Sequence, residues 1–175
     1  MRTILAILFL SVSTFAQSTP TPPATVDNPV CGNLPNTVFQ VKTDNREHIA
    51  RAIASKAIVY FLQDDTKFTG RPRPTTRLAV DGAWVGATHS DSYFYFPVDP
   101  GEHHLCATWQ AGGLDPVAGA AAAHFTAEAG RVYYFRAQDS SLHDGTKTID
   151  FGKVDSDEAR LLINRYAFSS SSVKK

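Results

Sequence analysis

The chain has 175 residues, with 17 lysines and arginines against 17 aspartates and glutamates, so its formal charge is zero. That balance provides no long-range attraction to nucleic acid or to an anionic membrane surface. The closely spaced Arg71 and Arg73 alternate with Pro72 and Pro74, which reads as a stiff loop rather than a basic patch.

The first element is a secretory signal peptide over residues 1–16. Arg2 supplies the charge, Ile4 to Leu10 the apolar run, and Ser11 to Ala16 the small-residue exit before Gln17. The apolar part is far shorter than the roughly 20 residues that span a bilayer, so no transmembrane segment is expected in the mature chain. No cysteine follows it closely enough to carry a lipid. Cleavage removes Arg2 and leaves one domain's worth of chain. Residues 17–30 contain four prolines among Ser, Thr, Ala and Asn and read as a flexible linker.

A single β domain, with an N-terminal arm and a C-terminal helix, is expected over 31–168. In the arm, Val38 to Val41 has the composition of a short strand, and Ile49 and Ile53 mark a brief helical turn or a packed arm. Ala57 to Leu62 is β-branched and aromatic, six residues long, and reads as a strand. Asp64 to Thr76 reads as an irregular connection. Arg77 to Val80 alternates, and Asp81 with Gly82 readily takes the positive φ values of a tight hairpin turn. Trp84 begins the returning strand. Tyr93 to Phe96 is aromatic at every position. After a turn at Asp99 to Glu102, the strand from His103 to Trp109 places His103, Leu105, Ala107 and Trp109 on one face, and His104, Cys106 and Thr108 on the other.

Residues 110–119 form a glycine-rich loop by composition, Ala122 to Ala127 a strand through His124, and Arg131 to Ala137 a further strand. A second loop runs over 138–147, and Thr148 to Phe151 makes an edge strand. The period then changes: Asp155 or Ser156 caps a helix ending near Tyr166, with Ala159, Leu162, Ile163 and Tyr166 on one side. Residues 169–175 read as a mobile tail. This series predicts a mainly β protein, an immunoglobulin-like or PEGA-like antiparallel β-sandwich with one short C-terminal helix; an up-and-down barrel is the competing architecture.

Cys31 and Cys106 are the chain's two cysteines, and in an oxidising compartment they read as one disulfide pinning the arm to the strand carrying Cys106. No cofactor is called for, since neither a dinucleotide fingerprint nor a phosphate loop is present. Five histidines fall between His89 and His143, but there is no H-E-x-x-H, and neighbouring His103 and His104 point to opposite faces. Ser90 and Ser92 lie near His89 and Asp91 in a polar strand-end loop that lacks a nucleophile elbow. The aromatic strands offer the best interaction surface, with Trp84, Tyr93, Tyr95, Trp109 and Tyr133 as candidate binding residues.

Several pieces taken together carry a family resemblance: KAIVYF at 56–61, RLAVDG at 77–82, YFYF at 93–96, PGEHH at 100–104, AEAGRVYYF at 127–135 and VDSDEA at 154–159. The series resembles the DUF2846 family, small exported bacterial domains of unknown function, over about residues 55–166. The D-G turn followed by P-G-x-H also resembles PEGA-type surface modules. The resemblance implies a small extracytoplasmic β-sandwich. Many such proteins resemble lipoproteins, and this chain departs from them by lacking the lipidated cysteine. The expectation is a soluble, periplasmic or secreted, non-catalytic interaction or structural module whose partner is an envelope protein, peptide or glycan. A small-ligand or metal-binding periplasmic protein is the alternative.

Overall fold

A computed structural model describes residues 25–28, 31–110 and 119–174. The expected signal peptide, most of the expected linker and residues 111–118 of the expected glycine-rich loop lie outside the described residues. In chain order the elements are β1 (Thr25–Asn28), β2 (Gly32–Pro35), β3 (Phe39–Asp44), β4 (Ala57–Lys67), β5 (Thr75–Val80), β6 (Ala83–His89), β7 (Ser92–Val98), β8 (Gly101–Trp109), β9 (Ala120–Ala127), β10 (Val132–Ser141), β11 (Lys147–Val154), α1 (Ser156–Ile163) and β12 (Ala167–Val173).

Strand β4 is buried on both faces over its first nine residues, which explains its unbroken apolar run. It lies inside a six-stranded sheet of order β11-β10-β4-β7-β12-β3, opposite a four-stranded sheet of order β6-β5-β8-β9. Ala57, Val59 and Phe61 point between the sheets and join Leu78, Leu105, Trp109, Phe125 and Phe135 in the main core. Ile58, Tyr60 and Leu62 point the other way, into a second cluster with Tyr93 and Ile163. The protein is therefore a mainly β sandwich with a single short helix among the described residues. Its larger sheet is mixed rather than wholly antiparallel, because β10 runs parallel to β4 and β12 parallel to β7.

Local chemistry accounts for the connections. Asp81 and Gly82 have φ of 50° and 79°, the two positive values that a type I′ hairpin between β5 and β6 requires. The Asp81 carboxylate accepts from the His104 backbone N–H at 2.8 Å and meets His103 Nδ1 at 2.7 Å. Helix α1 is capped by Asp155, whose side chain accepts from the N–H groups of Asp157 and Glu158. It buries Ala159 and Ile163 against the outer face of the six-stranded sheet.

The arm is fastened as the cysteine count implies: Cys31 and Cys106 form a disulfide with Cα atoms 5.5 Å apart. Leu34 beside it packs on Ala79, Cys106 and Trp84, outside the four-stranded sheet. Part of the expected linker, Thr25–Asn28, is ordered as β1 and pairs with β2.

Several elements differ from the sequence-based expectation. The chain beyond residue 168 is not a mobile tail but strand β12, hydrogen-bonded between β7 and β3. Its Ser169 and Ser171 hydroxyls are used internally, with Ser92 Oγ and the Ala87 N–H respectively. Strand β4 continues through Asp64 and Asp65 to Lys67, with the Asp64 carboxylate accepting from the Thr66 hydroxyl and from Gln138, and one Asp65 oxygen accepting from Gln63. Helix α1 stops at Ile163, and of the two readings of the segment around Ile49 and Ile53, a brief helical turn or a packed arm, the structure has the irregular arm.

Candidate functional site

The outer face of the six-stranded sheet is built from tyrosines. Register places Tyr60 of β4 opposite Tyr95 of β7 and beside Tyr134 of β10, with Tyr93 one pair along. Ring centroids of Tyr60 lie 5.2 Å from both Tyr95 and Tyr134. The alternation of β4 and β10 delivers these rings to one side, and the irregular segment 45–56 lies across them.

The phenol groups hold that segment by its backbone. Tyr93 Oη accepts from the His48 N–H at 3.0 Å and donates to the His48 carbonyl at 3.2 Å. Tyr60 Oη accepts from the Ala50 N–H at 2.8 Å, and Tyr95 Oη reaches the Ile49 carbonyl at 3.5 Å. Burial raises the pKa of Tyr60 and Tyr93 above the usual phenol value, keeping both neutral and able to donate. An irregular backbone laid over an apolar sheet needs such partners.

Between this segment and α1 lies a cavity of about 350 Å³, bounded by Glu47, His48 and Ile49 on one side and by Arg160, Ile163 and Asn164 on the other. A second hollow of about 150 Å³ adjoins it between Ile49 to Lys56 and Gly130 to Val132. Both are floored by Tyr60 and Tyr134 and share Ile49, so they form one groove across the sheet. Its rim exposes large apolar side chains, Ile49 at 70%, Val132 at 46% and Ile53 at 40%. Arg131 and Arg160 stand on the rim exposed, and among the described residues neither forms an ion pair.

Beside the groove, Arg136 pairs with Glu158 of α1 and lies 4.0 Å from Asp64. Burial pushes the Asp64 carboxyl up, but hydrogen bonds from Thr66 and Gln138 outweigh it and hold the group below its ordinary value. The Tyr166 hydroxyl, buried near this carboxylate, is raised first by burial and then by the Asp64 charge. These contacts fix the helix that forms one wall of the groove.

Inside the sandwich, Asp139 accepts from the Trp109 indole N–H at 2.9 Å, from Gln63 at 3.0 Å and from Thr76 at 3.2 Å. Burial, followed by the neighbouring Asp65 carboxyl, pushes Asp139 up to about 8. Burial likewise raises Asp65. Both acids are fully buried, so this pair is a matter of the fold's interior.

The five candidate binding residues do not share one face. Tyr93 and Tyr95 lie under the groove segment as anchors, the first fully buried and the second half-buried. Trp109 and Tyr133 are buried in the core between the sheets. Trp84 is half-buried on the opposite side of the molecule, under the Arg77 guanidinium at 4.6 Å, with its N–H donating to the Pro35 carbonyl. The rings were legible in the sequence, but which of them a covering segment occupies was not. The groove's Ile49 and Ile53 had a signal of their own: two large apolar residues four apart, interleaved with alanines.

The serine, histidine and aspartate near the β6–β7 turn diverge. Ser92 Oγ bonds the backbone of its own turn, His89 Nδ1 meets Thr75 Oγ1, and Asp91 accepts from the Asp65 N–H. Among the described residues no set of three His, Cys, Asp or Glu is arranged to hold a metal ion, and no helix is long and apolar enough to cross a membrane.

No curated protein sequence matches the chain. The model of one family, described as a protein of unknown function (DUF2846), matches residues 53–148. That stretch runs from the last turn of the groove segment through β4 to the start of β11, more than half of the chain and most of both sheets. The chain belongs to the DUF2846 family.

Proposed function

We propose that the protein is an exported, non-catalytic interaction module of the cell envelope or extracellular space, and that its groove grips an extended segment of a partner protein or peptide. The observation that carries this reading is the groove itself: a tyrosine floor with Ile49, Ile53 and Val132 exposed along the rim. Exposed apolar side chains gathered around a concave surface are a recurrent feature of interaction sites. Arg131 and Arg160, unpaired at the two ends, favour a segment with an apolar side chain flanked by carboxylates.

Export is supported by the charge, apolar core and small-residue exit of residues 1–16 and by the Cys31–Cys106 disulfide, which belongs to an oxidising compartment. The aromatic residues enter as structure: Tyr93 and Tyr95 hold the segment that shapes the groove, while Trp84 stands at a separate surface.

The test is selection of peptides from a displayed library on the purified mature chain, followed by affinity measurement on the Ile49→Asp and Arg160→Glu variants. Selected peptides should combine an apolar residue with flanking acids and bind at least tenfold more weakly to either variant. Peptides that bind both variants as well as the unaltered protein would place recognition elsewhere.

A further inference from the structure

The outer surface of the four-stranded sheet carries a second feature, remote from the tyrosine groove. We propose that His104 and His124 form a two-imidazole site for a borderline divalent transition ion, taking Cu²⁺ in preference to Zn²⁺ or Ni²⁺.

The register of β8 and β9 sets these histidines directly opposite each other. Opposed residues on one face of an antiparallel pair have Cβ atoms about 4.5–5.5 Å apart, and here the ring centroids stand 6.4 Å apart. With metal–nitrogen bonds of about 2.0–2.1 Å, an ion between the two rings needs only small side-chain rotations. Both residues are exposed, so those rotations displace no core packing.

Hydrogen bonding separates this pair from the histidines that serve the fold. His48 Nε2 meets Asp44, His89 Nδ1 meets Thr75, and both ring nitrogens of His103 are taken by Asp81 and the Asp99 carbonyl. Among the described residues, neither His104 nor His124 has a hydrogen-bond partner for its ring nitrogens. The nearest charge is the Glu102 carboxylate, 3.9 Å from His104 Nε2 and on the same face of β8. It makes the surroundings favourable for a cation.

Space for the remaining ligands is also present. The two imidazoles border a cavity of about 220 Å³ whose other walls include Ala79, Gly82, Ala122 and the Cys31–Cys106 disulfide. Small side chains there leave room for water or an incoming donor. The oxidised sulfurs offer no thiolate, which leaves the choice of metal to the imidazoles. Nitrogen donors rank divalent ions with copper first, and two protein ligands leave the ion exchangeable, as suits capture or delivery more than permanent structural support.

The test uses the full mature chain, stripped with chelator and dialysed against micromolar Cu²⁺, with bound copper counted and its electron paramagnetic resonance spectrum recorded. One ion per chain with nitrogen hyperfine structure is expected. His104→Ala and His124→Ala should each weaken binding at least tenfold, while His143→Ala leaves it unchanged. Thermal unfolding without metal should be the same in all four proteins, which separates loss of a ligand from loss of the fold. The proposal is overturned if the unaltered chain retains no copper, or if the double variant at positions 104 and 124 still binds as the unaltered chain does.

Discussion

The Trp109 indole N–H donates to Asp139 Oδ1 at 2.9 Å, joining strand β8 of the smaller sheet to strand β10 of the larger across the core. Gln63 and Thr76 complete the contact from β4 and β5, so four strands from two sheets meet at one carboxyl.

This meeting point makes stability pH-dependent. Asp139 keeps its proton in the fold up to about 8, whereas an ordinary Asp loses it near 3.8. Its contribution is therefore full below the unfolded value and is lost as pH rises through about 8. The Asp65 carboxyl opposes a negative charge on Asp139, and Asp65 in turn faces Asp91 and Arg73. The midpoint of thermal unfolding should fall between pH 5 and pH 9, and Asp139→Asn, which cannot ionise, should flatten that decline. An equally steep decline in the variant would assign it to other groups.

Gly119 lies against the same tryptophan. A Cβ built there would stand 2.0 Å from Trp109 Cε3, in the middle of a fully buried ring rather than at a flexible end. Gly119→Ala should cost at least the 1–3 kcal/mol typical of overpacking, read from urea unfolding. The mild Gly152→Ala, with nothing within 4 Å of its Cβ, serves as a comparison.

Tyr93 holds both the N–H and the carbonyl of His48. Tyr93→Phe keeps the buried ring and removes only those two bonds, each worth about 1 kcal/mol net. Amide exchange at residues 47–50 should quicken severalfold while the β4 and β10 amides stay protected. Uniform quickening across both sheets would show that the hydroxyl supports the whole fold.

Reduction should weaken the protein more than any surface change. The disulfide closes a separation of 75 residues, which corresponds to about 4 kcal/mol on the chain-entropy account. Urea midpoints with and without reductant measure this. Loosening of the arm should also move Trp84 emission to longer wavelength, because its N–H partner is the Pro35 carbonyl within that arm.

How far the sequence foretold these features depended on where each strand's instructions lie. Ala57 to Leu62 announces a strand through its own composition, and Asp81-Gly82 announces its turn through φ preference. Strand β12 does neither. Ala167 to Val173 reads AFSSSSV, with weak β preference and no apolar alternation, and is extended because two neighbouring strands offer it hydrogen bonds. Asp64 and Asp65 are strand residues for a similar reason, since Gln138, distant in sequence, donates to the Asp64 carboxylate and the Asp65 N–H donates to Asp91. The groove was least legible. Tyr93 and Tyr95 stand two apart on one strand and so share a face, but the 45–56 segment that covers them is specified by backbone contacts with no periodic signature.

The position of β12 also orders events in time. Among the described residues, strand β3 at the sheet's rim has β12 as its one strand partner, although more than a hundred residues separate them in the chain. A nascent polypeptide therefore holds β3 without a sheet to join until residues 167–173 have been synthesised. The larger sheet therefore reaches its final width only once residues 167–173 are present to bridge β7 and β3.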